Sequence, residues 1–235
     1  MQNFSQDKSN FIGSQNSILE LSNKDQASIL IVSDTHGNFD LLERIIFKRG
    51  KKNDALILCG DTGGDLAKVH ELYAHSANKE NFPSVCAFVR GNNDYDIYPF
   101  YNIKKKKDPT LPYYCDFYFP ENQIIKIAGH NIFITHGHKY TINGGSGSLE
   151  TAALKNKCRI AFFGHTHIAC SILKEKIFLL NPGSTTFPRN GQNPSFAEIT
   201  LYKNVNNFMP TFFDCSKIDD EGNFSIFSQK AVFFN

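Results

Sequence analysis

The chain has little net charge, no long apolar run and no closely paired cysteines, and each absence excludes a class of protein. A formal charge of +2 at pH 7 gives no reason to expect sequence-specific nucleic acid or an anionic membrane as a partner. No apolar run approaches the roughly 20 residues that a membrane-spanning helix needs. Residues 1–10 are polar and lack the apolar middle of a secretory signal, so we expect a cytoplasmic protein.

Cysteine usage agrees with that compartment. No two of the six cysteines form a Cys-x-x-Cys pair, and Cys59 and Cys86 lie inside or at the end of apolar runs that resemble strands. We therefore expect buried free thiols in a reducing cytoplasm rather than a disulfide framework. The six are Cys59, Cys86, Cys115, Cys158, Cys170 and Cys215.

Length and composition are those of an ordinary globular protein. The chain has 235 residues, of which 41% are hydrophobic, a common value for soluble domains. Residues 1–26 are rich in Ser, Asn, Gln and Lys, which predicts a flexible N-terminal extension. Residues 27–235 are then expected to form a single domain.

Strand-like and helix-like segments alternate in the first half of the chain. Short β-branched apolar runs predict strands over residues 28–33, 54–59 and 84–89. Apolar residues at helical spacing predict helices over residues 38–49 and 65–77. This βαβαβ order is typical of a mostly parallel sheet with helices on its faces.

Residues 95–120 interrupt that alternation. They contain prolines, several aromatic residues and four consecutive lysines at 104–107. We expect a surface excursion in which the lysines form a solvated loop, and attraction to phosphate or nucleic acid is the alternative.

Strands joined by short turns dominate the remainder of the chain. We expect a β-hairpin turning at Gly129 and His130, a flexible loop over 144–148, and a helix that follows it to about 157. Two sheets packed face to face, with helices outside, would accommodate these elements. The strands are expected over residues 123–128, 131–135, 159–163, 169–173, 176–180, 195–201 and 209–213.

Seven side chains that suit a hard divalent metal lie in five short stretches, most of which directly follow an apolar run. They are Asp34, His36, Asp61, Asn92, His136, His165 and His167. If those runs are parallel strands, the loops at their carboxyl ends collect at one edge of the sheet, where open α/β sheets place their sites. One metal takes four to six ligands, so seven suggest two metals that share one of them.

The stretches differ in how specific they are. In an extended segment Asp34 and His36 point to the same side, but alone they are equally typical of a helix cap and a surface histidine. Asp61 and Asn92 are each typical of a turn. The two His-x-His pairs, beginning at His136 and His165, are hard to explain as core histidines.

Neighbouring residues are expected to support the site. Asp94 could orient a ligand without contacting the metal. Arg90 is expected to pair with carboxylates rather than touch a substrate. A zinc finger is not expected, because the chain has no Cys-x-x-Cys pair to accompany the histidines.

Taken in order, these stretches resemble the calcineurin-like metallophosphoesterases, and within them the YfcE-type phosphodiesterase branch. The resemblance covers roughly residues 28–203 and includes the segments 89–92, 181–184 and 188–195. It implies a four-layer α/β/β/α sandwich of two mixed sheets flanked by helices. It also implies ligand roles: Asp34, His36 and His167 on one metal, Asn92, His136 and His165 on the other, and Asp61 between them.

The resemblance implies a metal-dependent phosphodiesterase in which a dinuclear centre activates a hydroxide. Two divalent ions are expected, manganese first, with iron, zinc, nickel or magnesium as alternatives. Many relatives carry a histidine where this chain has Asn93, which puts general-acid catalysis in doubt and leaves His138 as replacement or as a structural imidazole. Arg189 is expected either to bind the phosphate of a small phosphodiester substrate or to be a solvated loop residue.

Other functions stay open at this point. A eukaryotic retromer subunit of this fold suggests a non-catalytic or weakly catalytic scaffold, and a phosphomonoesterase cannot be separated from a diesterase by spacing. A dinuclear amide or lactam hydrolase usually has a His-x-His-x-Asp-His grouping, which is absent. A homo-oligomer is compatible with the sequence.

Overall fold

The computed structural model describes residues 4–140, 147–174, 176–219 and 221–227. Its α-helices are α1 (Gln15–Asn23), α2 (Phe39–Arg49), α3 (Gly63–His75) and α4 (Gly147–Lys155). Its strands are β1 (Gln26–Val32), β2 (Ala55–Leu58), β3 (Val85–Phe88), β4 (Ile97–Tyr101), β5 (Tyr114–Tyr118), β6 (Asn122–Ile127), β7 (His130–Thr135), β8 (Ile160–Phe162), β9 (Cys170–Lys174), β10 (Ile177–Asn181), β11 (Ser195–Tyr202), β12 (Thr211–Ile218) and β13 (Phe224–Phe227).

Two mixed sheets carry the architecture. The first is six-stranded in the order β13-β12-β11-β1-β2-β3, and the second is five-stranded in the order β6-β7-β8-β10-β9. β1, β2 and β3 run parallel to one another, as the βαβαβ pattern predicts. β7, β8 and β10 are likewise parallel, so each sheet sends a set of carboxyl ends towards one edge.

Three buried clusters separate the layers. One lies between the sheets and includes Ile31 and Ile57 of the first sheet and Ile134 of the second. A second cluster packs α2 and α3 on the outer face of the first sheet, and a third packs α4 on the outer face of the second. The predicted four-layer α/β/β/α sandwich is therefore confirmed.

Local sequence explains how the elements begin and end. Asn38 caps α2, because its Oδ1 accepts a hydrogen bond from the backbone N–H of Leu41 at 3.3 Å, which satisfies a donor that the first turn leaves free. β6 alternates exposed and buried residues, the period expected of a strand with one wet face.

The N-terminal segment differs from the expected flexible extension over residues 1–26. Phe4 and Ile12 are buried in the core of the first sheet, and Ile12 pairs with Cys86 of β3. Ser14 caps α1, and Leu21 of that helix accepts a hydrogen bond from Ala128. Within residues 4–26 the expectation is wrong, because a few apolar side chains anchor a polar segment to the edges of both sheets.

Residues 95–120 also differ from a simple surface excursion. β4 and β5 pair as an antiparallel hairpin whose inner rings, Phe100 and Phe117, stack at 4.2 Å over α3. Part of the lysine run forms the short 3-10 helix Ile103–Lys106, which lies between β4 and β5. The hairpin is thus an added, partly buried layer beside α3.

Smaller differences concern turns and ends. The β6–β7 turn consists of Ala128 and Gly129, both with positive φ, so it lies one residue earlier than expected. The loop predicted over 144–148 lies largely outside the described residues, and Gly147 already begins α4. The last predicted strand extends to Ile218, and β13 follows it.

Two further expectations concern cysteines and membranes. All six cysteines are free, and all but the half-buried Cys115 are buried, which confirms the predicted thiol state. Among the helices of the described ranges, none has the length and apolar character needed to cross a membrane.

Candidate metal centre

The structure brings the seven predicted ligands together at the edge where the parallel strands of both sheets end. Loops after β1, β2 and β3 contribute four of them, including His36. Loops after β7 and β8 contribute the other three, all of which are histidines. Direct contacts connect the set: Asp34 Oδ1–His167 Nε2 3.1 Å, His36 Nε2–His167 Nε2 3.2 Å, Asp61 Oδ2–His136 Nε2 3.4 Å, Asn92 Oδ1–His136 Nε2 3.1 Å and Asn92 Oδ1–His165 Nδ1 3.0 Å.

Two groups within this set have the spacing of a metal site. Asp34, His36 and His167 form one, and Asp34, Asp61 and His136 form the other, each with ligand atoms within 4.8 Å of one another. Asp61 Oδ2 lies 3.7 Å from His36 Nε2 and 3.4 Å from His136 Nε2, between the two groups. The resemblance implied a shared position for Asp61 alone, whereas Asp34 also belongs to both groups.

A buried oxygen of Asp34 indicates whether a cation fits this site. Asp34 Oδ1 is fully buried and has no hydrogen-bond partner among the described residues, although Oδ2 accepts from the Ser33 hydroxyl at 2.6 Å and from the His165 N–H at 3.1 Å. A buried carboxylate oxygen without a partner is costly. Imidazole nitrogens and a second carboxylate surround it, and this mixed donor set suits divalent transition metals.

Second hydrogen bonds orient two of the histidines. His136 Nδ1 lies 2.8 Å from the carbonyl oxygen of Cys59, and His167 Nδ1 lies 2.7 Å from that of Phe187. A carbonyl only accepts, so each Nδ1 carries the proton and donates it. Each Nε2 therefore presents its lone pair to the centre, as metal-binding histidines require.

The electrostatics of the cluster favour positive charge, because two carboxylates lie among the imidazoles. Burial alone would raise the pKa of Asp34, but contacts with His167 and His36 outweigh it and hold that pKa well below its usual range. Contact with Asp34 raises the pKa of His36. Against the effect of burial, Asp61 and Asp34 raise the pKa of His136. Ionised carboxylates here attract protons to the imidazoles, and a metal ion would replace those protons.

Close packing requires glycine beside the ligands. A Cβ on Gly91 would lie 2.0 Å from Asp61 Oδ1, and one on Gly164 would lie 2.0 Å from the Ser33 hydroxyl. Both distances are far below van der Waals contact. The loops can therefore approach one another only without side chains at these two positions.

The pairing of Asp34 with His36 has a different cause from the one expected. Both residues have positive φ, 54° and 45°, so the segment is not extended and the alternation of a strand does not apply. A left-handed turn brings the two side chains to one side, and the N–H groups of Thr35 and His36 donate to the carbonyl of Asp61 at 3.1 and 3.3 Å.

Asn93 and Asp94 lie beside the centre. The backbone N–H of Asn93 donates to Asp61 Oδ1 at 2.8 Å and its Nδ2 donates to Asp61 Oδ2 at 2.7 Å. The carboxylate of Asp94 accepts from the N–H groups of Gly63 and Gly91, both at 2.9 Å. Asn93 thus orients a ligand, whereas Asp94 holds two loops in place.

His138, Arg189 and Arg90 occupy the periphery. The ring of His138 lies 5.5 Å from that of His136, and its Nδ1 is buried without a hydrogen-bond partner among the described residues. Arg189 is exposed, and its backbone N–H donates to the carbonyl of His167 at 3.1 Å. Arg90 pairs with the carboxylates of Asp96 and Glu121, as the sequence predicted.

Sequence reasoning missed several supporting residues. Asp65, buried in the first turn of α3, accepts from the Thr35 hydroxyl at 2.5 Å and from the Gly37 N–H at 2.9 Å. The Ser184 hydroxyl donates to the Asp34 carbonyl at 2.8 Å. The signal for Asp65 was an acidic residue at a helix start, which is too common to identify a role.

Asn181 shapes the turn beside the loop that carries His165. Its Nδ2 donates to the carbonyl of Gly164 at 2.8 Å and to the Thr166 hydroxyl at 3.0 Å, and its Oδ1 accepts from the Gly183 N–H at 2.9 Å. These bonds hold the loop that carries His165.

The fold and the centre together define a metallophosphoesterase-type protein. The calcineurin-like phosphoesterase superfamily domain matches residues 28–204, and the chain belongs to this superfamily. The match spans all seven candidate ligands.

Known relatives agree with that assignment. The probable metallophosphoesterase YsnB of Bacillus subtilis is 27% identical over 176 residues, which cover 74% of this chain and 84% of YsnB. The phosphodiesterase YfcE of Escherichia coli K12 is 26% identical over 174 residues, which cover 72% of this chain and 84% of YfcE. The structure of vacuolar protein sorting 29 from Cryptosporidium parvum matches with a TM-score of 0.58 and 21% identity, over 88% of this chain and 100% of that one, and shares the fold.

Proposed function

We propose that this chain is a cytoplasmic, metal-dependent phosphodiesterase with a dinuclear centre. One observation carries the proposal: seven ligand-type side chains from five loops form one connected set of contacts, and within it a buried oxygen of Asp34 has no hydrogen-bond partner among the described residues. A relative that is itself a phosphodiesterase supports the reaction. A cavity of about 550 Å³ adjoins His36 and Asp61, which leaves room for a substrate.

In this proposal the ligands would divide between two divalent ions, with manganese as the expected metal. Asp34, His36 and His167 would hold the first ion, Asn92, His136 and His165 would hold the second, and Asp61 would be shared between them. When bound, two such ions polarise the phosphate oxygens and activate a water molecule for attack on phosphorus.

The protein residues supply orientation and protons. Asn93 fixes both oxygens of Asp61 through its two donors, and its amide faces the cavity, where it can also donate to a phosphate oxygen. His138, whose ring lies 5.5 Å from that of His136, is the group that we assign to protonate a leaving oxygen. Burial, followed by the charge of His136, lowers its pKa. Asp94 acts through the loops that it holds, and Arg189 would meet the phosphate bidentately.

The test is a screen of metals against substrates. The metal-free protein is supplied with Mn²⁺, Fe²⁺, Zn²⁺, Ni²⁺ or Mg²⁺ and assayed with bis(4-nitrophenyl) phosphate, 4-nitrophenyl phosphate and a cyclic nucleotide. We expect metal-dependent turnover, fastest with the diester and with manganese. A faster monoester would replace the proposal with a phosphomonoesterase.

A matched pair of variants tests the bridging carboxylate. Asp61→Ala should lose metal binding, measured by titration calorimetry, together with turnover. Asp25→Ala removes a carboxylate whose side chain is 96% exposed and pairs only loosely, at 3.8 Å, with Lys203, and both readouts should be retained. Full activity in Asp61→Ala would contradict the bridging role.

A non-catalytic scaffold is the second candidate. The observation that favours a scaffold is the fold shared with vacuolar protein sorting 29. That likeness concerns the fold alone and assigns no activity. A scaffold would bind metal without turning over an activated diester, so the screen separates the two.

A further inference from the structure

The cavity beside the metal centre has a second set of walls that the centre does not use. Besides His36 and Asp61, it is lined by the first turn of α3 and by the aromatic residues Tyr98 and Phe187. Its volume of about 550 Å³ is within the range of small-molecule sites. Because His36 and Asp61 line it, this space adjoins the candidate metal centre.

The ring of Tyr98 is held in a fixed position at this wall. Its hydroxyl donates to Asp94 Oδ1 and accepts from the N–H of Tyr95, both at 3.1 Å. Its ring packs against Phe119 at 4.9 Å and covers Gly63, where a Cβ would lie 2.2 Å from Tyr98 Cε2. The β4–β5 hairpin therefore contributes a preformed aromatic surface.

In contrast to Gly63, the next residue, Gly64, borders open space. A Cβ on Gly64 would meet only Tyr98 Cε1, at 3.9 Å, and Gly64 is exposed. Phe187 is 57% exposed, and its ring lies 5.4 Å from that of His36. Thr62 also lines the cavity, and its hydroxyl is buried without a hydrogen-bond partner in the described ranges.

We propose that this cavity binds the ester group that stays on the phosphate, and that it selects an aromatic group such as an aryl ring or a nucleobase. The inference rests on the proposed phosphodiesterase function and names the substrate class for the same site. A ring placed against Tyr98 gains apolar and aromatic contact, and the fixed wall limits the entropy lost on binding.

Two esters that share a leaving group and a charge test this selection. 4-Nitrophenyl phenyl phosphate and 4-nitrophenyl ethyl phosphate differ only in the retained group. Gly64→Leu places a side chain in the cavity at a helical position where leucine is well tolerated. Its matched control is Gly147→Leu at the start of α4, where a Cβ also has open space.

We expect Gly64→Leu to lower the phenyl-to-ethyl ratio of kcat/KM about tenfold, mainly through the KM of the phenyl ester, the scale of discrimination that an apolar pocket provides. Gly147→Leu should keep the wild-type ratio. Calorimetric titration of the metal-loaded protein with phenylphosphonate and ethylphosphonate gives a second readout, in which Gly64→Leu should lose the preference for phenyl.

The possible failures can be told apart. Absence of turnover of either ester by the wild-type protein, with every metal tried, would overturn the proposed function and this inference with it. Turnover of both esters with an unchanged ratio in Gly64→Leu would overturn this inference alone.

Discussion

The imidazole of His70 joins three parts of the molecule, and its burial predicts a measurable dependence of stability on pH. Its Nε2–H donates to the carbonyl of Phe4 at 2.6 Å. The rings of Phe4, Phe100 and Phe117 surround it at 5.5, 5.0 and 5.5 Å. Its Nδ1 is buried without a hydrogen-bond partner in the described part of the chain, so a second proton would have no acceptor.

The pKa shift sets the size of the effect. Burial lowers the pKa of His70 from its ordinary 6.5 to about 4, although the hydrogen bond to Phe4 opposes this. Between these two values the unfolded chain binds more protons than the folded one. The free energy of unfolding is therefore full above pH 6.5 and falls as the pH drops towards 4. By linkage the loss is about 2 kcal/mol between pH 7 and pH 5.

Urea denaturation of the metal-free protein at pH 7 and pH 5 measures this loss. In His70→Gln the amide can still donate to Phe4 but does not titrate, so the loss between the two pH values should be smaller by about 2 kcal/mol. Comparing variants in this way removes the contributions of other titrating groups, provided that they are distant enough to be additive.

His75→Gln is the control, because His75 is an exposed histidine on the same helix. Its loss between pH 7 and pH 5 should match that of the wild-type protein. An equal loss in His70→Gln and the wild-type protein would refute the assignment of this pH dependence to His70.

Three further predictions concern the centre. Gly91→Ala should weaken metal binding at least about tenfold in calorimetry, since the added Cβ would lie 2.0 Å from Asp61 Oδ1 and a 1.4 kcal/mol cost is tenfold; unchanged affinity would contradict the packing argument. Asn93→His should accelerate diesters with poor leaving groups more than those with good ones, because it adds a titratable acid; equal acceleration would remove that explanation. Arg189→Ala should raise KM and leave kcat nearly unchanged, and an unaltered KM would place Arg189 outside the substrate site.

Elements with a strong periodic pattern were predictable from the sequence, and those stabilised by tertiary contacts were not. β1, β2 and β3 are continuous apolar runs, which periodicity detects. α1 buries one residue, Leu21, and is held by its contact with the β6–β7 turn, which no local pattern reveals. β4 buries only its last two residues, and prolines and lysines obscure its pairing with β5.

The site divides in the same way. Side chains suited to a metal, found after strand-like runs in the sequence, pointed to all seven residues that the structure brings together. This pattern is informative because parallel strands bring distant loops to one edge of the sheet. The residues that hold those loops could not be identified. Asp65 contacts Thr35 and Gly37 across about 30 positions of sequence, and Ser184 reaches Asp34 across 150. Such contacts depend on the fold and leave no local signature.

The backbone at the centre explains why Asp34 and His36 lie close together although the segment that contains them is not extended. Five of the seven candidate ligands have left-handed φ, which costs roughly 1 kcal/mol or more per non-glycine residue. They are Asp34, His36, Asp61, His165 and His167, at 54°, 45°, 53°, 66° and 59°.

A strand that continued in extended form would point alternate side chains away from the centre. Residues with left-handed φ shortly after the strands end the extended conformation and turn the chain. The backbone hydrogen bonds between the β1 and β2 loops offset that cost, as do Ser184 and Thr186, whose hydroxyls donate to the carbonyls of Asp34 and Thr35, both at 2.8 Å. Residues outside the seven candidate ligands therefore help to hold the loops in the conformation that brings the ligand-type side chains together.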